Sequence, residues 1–328
     1  MIRLFSRFAS AAALVVLSMP LVQATAQTQV PAAPAAEPAA PTPAAAPVFP
    51  APDPKNFTAD LPTKETVNAF LTASWGYEET RVWQVQAILK TPVEGVSKVV
   101  VIVGDKTGKE KPAALEFFAF ADGKHIIAGD QIVAFGATPF ADFRKQMQEK
   151  ADGPFRGSPD KSLELVEFAD FQCPHCKEAQ ANMEKLVADF PKARIVFQNA
   201  PLVSIHPQSE TAAAYGVCVA KLGGSTAFFG FAGSVFDGQD GLSTTDGATL
   251  TLNSAATKAG LDPAKVAACA ATPETKAAVD ASVKLAEDLG VGQVPTLVVN
   301  GREVPANAPY ETLKKIVAYQ AKMDGVTM

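Results

Sequence analysis

Two cysteines held two residues apart, Cys173-Pro174-His175-Cys176, constrain this chain more than any other feature of its 328 residues. A strand-length run, Leu163 to Phe168, precedes them. Cys176, Ala179, Met183, Leu186, Val187 and Phe190 follow at helical spacing. The first pattern reads as a buried strand and the second as one face of a helix, so the tetrapeptide lies where a strand turns into a helix. Ile195, Val196 and Phe197 then form a second strand. The result is a β-α-β unit, whose strands run parallel and whose crossover is right-handed.

Disulfide exchange needs an accessible thiolate and a second thiol close enough to resolve the mixed disulfide. A C-x-x-C turn opening a helix supplies both. Cys173 is expected at the exposed end, where unpaired backbone N–H groups and the helix dipole lower its pKa. Cys176, one turn further in, is shielded. His175 would add positive charge or a donor beside the Cys173 sulfur, and Pro174 suits a first helical turn, where no donor is needed. A zinc site would need a second close pair of ligands, which is missing. Haem attachment would need histidine directly after the second cysteine, where Lys177 stands. No metal or cofactor is expected. A purely structural disulfide is the remaining alternative, and the strand-turn-helix context favours exchange over it.

The chain around this unit divides into segments. Residues 1–26 read as a signal peptide: Arg3 and Arg7 are basic, Ala9 to Leu17 is apolar, and Ala24 and Ala26 offer a small-residue cleavage site. That apolar run is short of the roughly 20 residues of a spanning helix. Residues 27–57 are a Pro/Ala-rich linker, expected to be disordered. Residues 58–150 read as a small α+β domain. It has a helix capped by Thr63 and carrying Val67, Phe70 and Leu71, then an alternating strand with Trp83, Val85, Ala87 and Leu89 on one side. Further strands follow at 96–103, 115–120 and 125–127, with turn signals between them. Phe140, Phe143 and Met147 mark a helix leading out, and 151–154 a boundary. With 29 basic and 34 acidic residues the net charge is −5, which becomes −7 without Arg3 and Arg7. No basic stripe is available for phosphates, so nucleic acid is not an expected partner.

Within 158–328, residues from about 205 to 290 are helical. Asp262-Pro263 and Thr272-Pro273 place a cap before a first-turn proline, and Gly260 and Gly290 stand where helices stop. Thr296 to Val299, an Asn300-Gly301 turn and Glu303-Val304 form a hairpin, and a last helix carries Leu313, Ile316 and Val317. Pro295 fits either a cis bond presenting the Val294 backbone or an ordinary first strand residue, and the residues alone leave both readings open.

The stretch Leu165-Val166-Glu167-Phe168-Ala169-Asp170-Phe171-Gln172-Cys173-Pro174-His175-Cys176 resembles the active-site segment of DsbA-like periplasmic disulfide oxidases. Val294-Pro295-Thr296 and Asn300-Gly301 are similar to that family's cis-proline strand and hairpin. The resemblance covers about 158–328 and implies an α/β thioredoxin fold with a helical insertion. It also implies that Val294 and a cis-Pro295 pack on the active disulfide and bind substrate backbone. Glu167 becomes a buried carboxylate near Cys176 that assists proton transfer. Relatives with paired cysteines in the insert imply a structural Cys218–Cys269 disulfide, two buried free thiols being the alternative. The segment with His206 is similar to one in the family. Neither His206 nor His125 is given a catalytic role.

Phe118 to Asp130 resembles the end of the dimerisation domain in DsbC- and DsbG-type isomerases, which implies a homodimer. The oxidase resemblance implies extracytoplasmic protein substrates bearing cysteines and a membrane redox partner that re-oxidises the dithiol. Valine before Pro295, with proline and histidine inside the motif, matches the oxidase pattern. Two alternatives stand beside the oxidase: an isomerase or reductase, and a chaperone or peptide-binding module in which the motif is incidental.

Overall fold

The computed structural model describes residues 49–108 and 111–327. The expected signal peptide and most of the linker lie outside the described residues. The end of the linker, from Phe49, does not stand apart: the Gln86 side chain donates to the Pro50 carbonyl, and Phe57 bridges to Ile88.

The N-terminal part is a five-stranded antiparallel meander, β1 (Arg81–Lys90), β2 (Val96–Asp105), β3 (Ala113–Phe120), β4 (His125–Ala128) and β5 (Gln131–Ala134), in that spatial order. Helix α1 (Lys64–Trp75) starts where the Thr63 hydroxyl accepts from the Thr66 amide. It buries Val67, Phe70 and Leu71 against Val85, Ile88, Val99, Val101 and Phe117. The simple alternation expected along β1 fails near its end. A register shift between Val85 and Ala87 inserts an extra residue, after which Ile88 rather than Leu89 is buried. Strand β5 was not foreseen. Its four residues are too few to display a period.

Helix α2 (Ala141–Lys150) leads to the second sheet, of order β10-β9-β7-β8-β6. Central strands β7 (Glu164–Ala169) and β8 (Arg194–Asn199) are parallel. Strand β9 (Thr296–Val299) lies antiparallel to β7, β10 (Arg302–Pro305) antiparallel to β9, and β6 (Phe155–Gly157) antiparallel to β8. The expected start at residue 158 is thus too late by one three-residue edge strand. Side chains alternate as period 2 dictates. Leu165, Ile195, Leu297 and Val299 face α3 (Pro174–Asp189) and α8 (Tyr310–Met323). Val166, Phe168, Val196 and Val298 face α2 and α7 (Pro273–Asp288).

Between β8 and β9 lie α4 (Ser209–Asp237, kinked at Gly224), α5 (Thr245–Lys258), α6 (Pro263–Ala270) and α7. Asp262 and Thr272 cap α6 and α7 through their side chains. Cys218 on α4 and Cys269 on α6 are joined by a disulfide, with Cα atoms 5.9 Å apart.

A hairpin turn links β9 to β10 with Asn300 at φ 43° and Gly301 at φ 92°. Glycine is required at 301 on two counts. A Cβ there would also lie 2.2 Å from the Phe140 carbonyl oxygen at the start of α2. The two sheets meet through Arg302, 5% exposed. Its guanidinium donates to the Ala73 and Ser74 carbonyls in the last turn of α1, and stacks over Phe140 at 4.3 Å. A cation at the negative end of a helix dipole is favourably placed. Tyr319 on α8 adds a hydrogen bond to the Thr72 carbonyl at 2.6 Å.

Candidate active site

Cys173 is the N-cap of α3, and Pro174 occupies the first turn. The Cys173 thiol is lowered to about 6. A hydrogen bond from the Cys176 thiol is the largest cause, and the backbone N–H groups of Cys176 and His175 add to it against the cost of burial. Cys176 is fully buried. Its pKa is raised, first by serving as donor to Cys173 and then by desolvation. The two sulfurs are free thiols, with sharply separated proton affinities: one poised to attack, the other to hold its proton.

One expectation about this turn needs correction. Cys173 is not at an exposed end: only 5% of it is accessible, because it packs in the cluster of Phe171, Phe231 and Phe236, with Val294 against the same cluster. The His175 ring interacts with Cys173 through charge, while its hydrogen bond goes elsewhere. Its Nδ1 lies 3.0 Å from Glu178 Oε2, and the imidazole is exposed with its pKa raised by that carboxylate. The residue's backbone N–H also helps to lower Cys173.

Glu167, on β7, is 1% exposed. Gln180 Nε2 donates to its Oε1 at 2.7 Å and to the Cys176 carbonyl at 3.2 Å, while Oε2 has no hydrogen-bond partner. Burial pushes this carboxyl up to about 7, against the pull of the Arg156 charge and the Gln180 bond. Its negative charge also helps to raise Cys176. Arg156 lies on β6, between the expected boundary at 151–154 and the expected domain start at 158.

The Val294–Pro295 peptide is cis, and Pro295 is buried at the entrance to β9. On the other side, the insert grips the turn through paired side-chain amides. Gln239 Nε2 donates to both the Phe171 and Cys173 carbonyls at 2.9 Å. Gln172 donates to the Leu242 carbonyl and accepts from the Gln208 amide. Glutamines in a loop or helix start carry no signature of such a role, and they escaped the reading of the sequence. His206 lies beside the site: its Nδ1 is 2.8 Å from Asp170 Oδ2. His125 lies on the other sheet, paired with Asp122. Among the described residues no cluster of three or more His, Cys, Asp or Glu side chains could hold a metal.

A family model described as thioredoxin matches residues 149–318, just over half of the chain. The chain belongs to the thioredoxin family. A thioredoxin-like oxidoreductase from Silicibacter pomeroyi DSS-3 is similar in structure, with 25% identity and a TM-score of 0.46; the match covers 55% of this chain and 98% of that one. The thiol-disulfide exchange protein alpha-DsbA2 from Wolbachia pipientis has 21% identity and a TM-score of 0.46, over 55% and 96% of the two chains. BdbD from Bacillus subtilis has 22% identity and a TM-score of 0.45, over 52% and 93%.

By sequence, the chain is also similar to parts of Na(+)/H(+) antiporters. It is 34% identical to NhaA 3 of Salinispora tropica over 68 residues, 21% of this chain and 10% of the antiporter. It is 30% identical to NhaA 1 of Mycolicibacterium vanbaalenii over 169 residues, 51% and 26% of the two chains. The chain thus spans between 10% and 26% of the length of these curated relatives. Among the described residues of this thioredoxin-family chain, no helix is long and apolar enough to cross a membrane.

Proposed function

We propose that this protein is an extracytoplasmic thiol–disulfide oxidoreductase that donates the Cys173–Cys176 disulfide to cysteine-bearing polypeptides. The observation that carries the reading is the asymmetry of the pair: a thiol lowered to about 6 at a helix N-cap, beside a fully buried one whose pKa is raised. A stabilised thiolate favours the reduced enzyme and so makes its disulfide a stronger oxidant.

In the oxidising direction a substrate thiolate attacks Cys173 Sγ. The S–S bond breaks, and its electron pair leaves on Cys176, which takes up a proton. A second substrate thiolate then attacks the substrate sulfur of the mixed disulfide and expels Cys173 as thiolate. The substrate leaves with a disulfide and the enzyme keeps both electrons. Glu167, with its carboxyl at about 7 and its charge acting on Cys176, is suited to give and take the Cys176 proton. Val294 and Pro295 would hold the substrate backbone against the sulfur. The insert disulfide Cys218–Cys269 supports an oxidising compartment. Re-oxidation would fall to a membrane redox partner.

The isomerase reading draws on the first sheet. Its meander packs α1 on one face and leaves Phe118 and Ile132 exposed on β3 and β5, a surface through which two copies could pair. Two refolding assays separate the readings. An oxidase accelerates disulfide formation in a reduced substrate, whereas an isomerase rescues a scrambled one. Cys173→Ser abolishes either activity. Full activity of that variant in suppressing aggregation, with no exchange activity in the parent, would sink both and leave a binding module.

A further inference from the structure

Asp170 follows β7 and is 2% exposed. Its main chain touches both cysteines: its amide donates to Cys176 Sγ at 3.4 Å, and its carbonyl accepts from the Cys173 amide at 3.1 Å. Its side chain receives three donors. The Gln172 amide reaches Oδ1 at 2.7 Å, while the Leu202 amide and His206 Nδ1 each reach Oδ2 at 2.8 Å. A carboxylate only accepts, so Nδ1 carries the hydrogen whether the ring is neutral or cationic. The His206 side chain is 16% exposed and the Asp170 side chain wholly enclosed.

We propose that Asp170 and His206 form a positioning pair for the dithiol, in which the buried carboxylate ties the redox turn to the 201–207 loop and the imidazole offsets the charge facing Cys173. The proposal rests on the reading of Cys173 as the reactive thiol. Two features of the geometry carry it. The residue that aims an N–H at the resolving sulfur also anchors the neighbouring loop, so a movement of the carboxylate moves the turn. The carboxylate's negative charge also opposes the Cys173 thiolate. Donors on the carboxylate withdraw part of that charge, and the imidazole is the only side chain among them. The other titratable groups acting on the two sulfurs are His175 and Glu167, neither of which contacts Asp170.

The test is a titration of the Cys173 thiolate by ultraviolet absorbance in the reduced, full chain. His206→Ala strips one donor from a buried carboxylate and should raise the midpoint by about one unit, roughly tenfold in the thiolate equilibrium. Asp170→Asn removes the opposing charge and should lower it. The double variant should follow Asp170→Asn, because the imidazole acts through the carboxylate. Unchanged midpoints accompanied only by a lower melting temperature would make the pair a structural bond and overturn the proposal, as would shifts of the same sign.

A second measurement needs no variant. The chain has three histidines, and the His206 ring resonances should change chemical shift between the dithiol and disulfide forms at one fixed pH, since the carboxylate that holds the ring belongs to the residue bonded to both cysteines. Identical His206 ring shifts in the two forms would overturn the proposal even if the variants failed to fold. Failure of the redox reading itself would look different: the thiolate shifts would persist while Cys173 failed to exchange with glutathione.

Discussion

The reduction potential of the Cys173–Cys176 couple should bend with pH. Reducing a disulfide takes two electrons, and for such a couple each tenfold change in equilibrium is worth about 30 mV. Below about pH 6 both sulfurs of the reduced protein are protonated, so two protons enter and the potential falls by about 60 mV per pH unit. Above that point Cys173 stays a thiolate while Cys176 keeps its proton, so one proton enters and the slope halves to about 30 mV. An ordinary dithiol, titrating from 9.0, would keep the steeper slope to about pH 9. The two lines therefore separate by about 30 mV at pH 7 and about 90 mV at pH 9, the latter about 4 kcal/mol. The sign follows from the depressed thiol. Its stabilisation of the reduced fold is full above about pH 9 and disappears as pH falls through about 6.

The measurement is equilibration against glutathione buffers from about pH 5 to 9, with the redox state trapped by alkylation and read as a gel shift. Fluorescence would serve poorly, because both tryptophans, Trp75 and Trp83, lie in the N-terminal part of the chain. A straight line of about 60 mV per unit through the whole range would refute the reasoning from helix N-cap to thiolate.

Glu167→Gln should slow proton transfer at Cys176, reducing turnover by about 10²-fold while leaving the thiolate midpoint of Cys173 nearly unmoved. The same change should stabilise the oxidised protein. A carboxyl raised from 4.5 to about 7 destabilises the fold fully above pH 7 and not at all below about pH 4, so urea unfolding should show a gain of up to about 3 kcal/mol at pH 8 and none at pH 4. Replacing Cys218 and Cys269 together by alanine opens a loop spanning 51 positions and should lower stability by about 4 kcal/mol on chain entropy alone; an unchanged denaturation midpoint would refute it. Gly301→Ala should destabilise by more than about 2 kcal/mol, since both its φ and the Phe140 carbonyl exclude a Cβ; a parental melting curve would contradict that geometry.

The redox centre was legible because its chemistry is local: two sulfurs, a turn and a helix start lie within one tetrapeptide, and propensity and period agree there. The hairpin was readable for the same reason, as Asn300-Gly301 encodes positive φ in two residues. What escaped detection depends on contacts between distant segments. Gln239 reaches the Cys173 carbonyl across 66 positions, and His206 reaches Asp170 across 36. No spacing rule connects such pairs. The depth of Cys173 was misjudged on similar grounds, since the insert aromatics that cover it follow it by more than 50 residues. Strand β6 was missed because three residues containing a glycine and an arginine show no alternation, and Leu89 was misplaced because a bulge leaves no mark in composition.

Arg302 has a mechanical consequence. By gripping the closing turn of α1 with its guanidinium, it fixes the first sheet to the hairpin that adjoins the Pro295 strand. A change in the last turn of α1 is thereby passed to the strand beside Pro295 through one buried guanidinium.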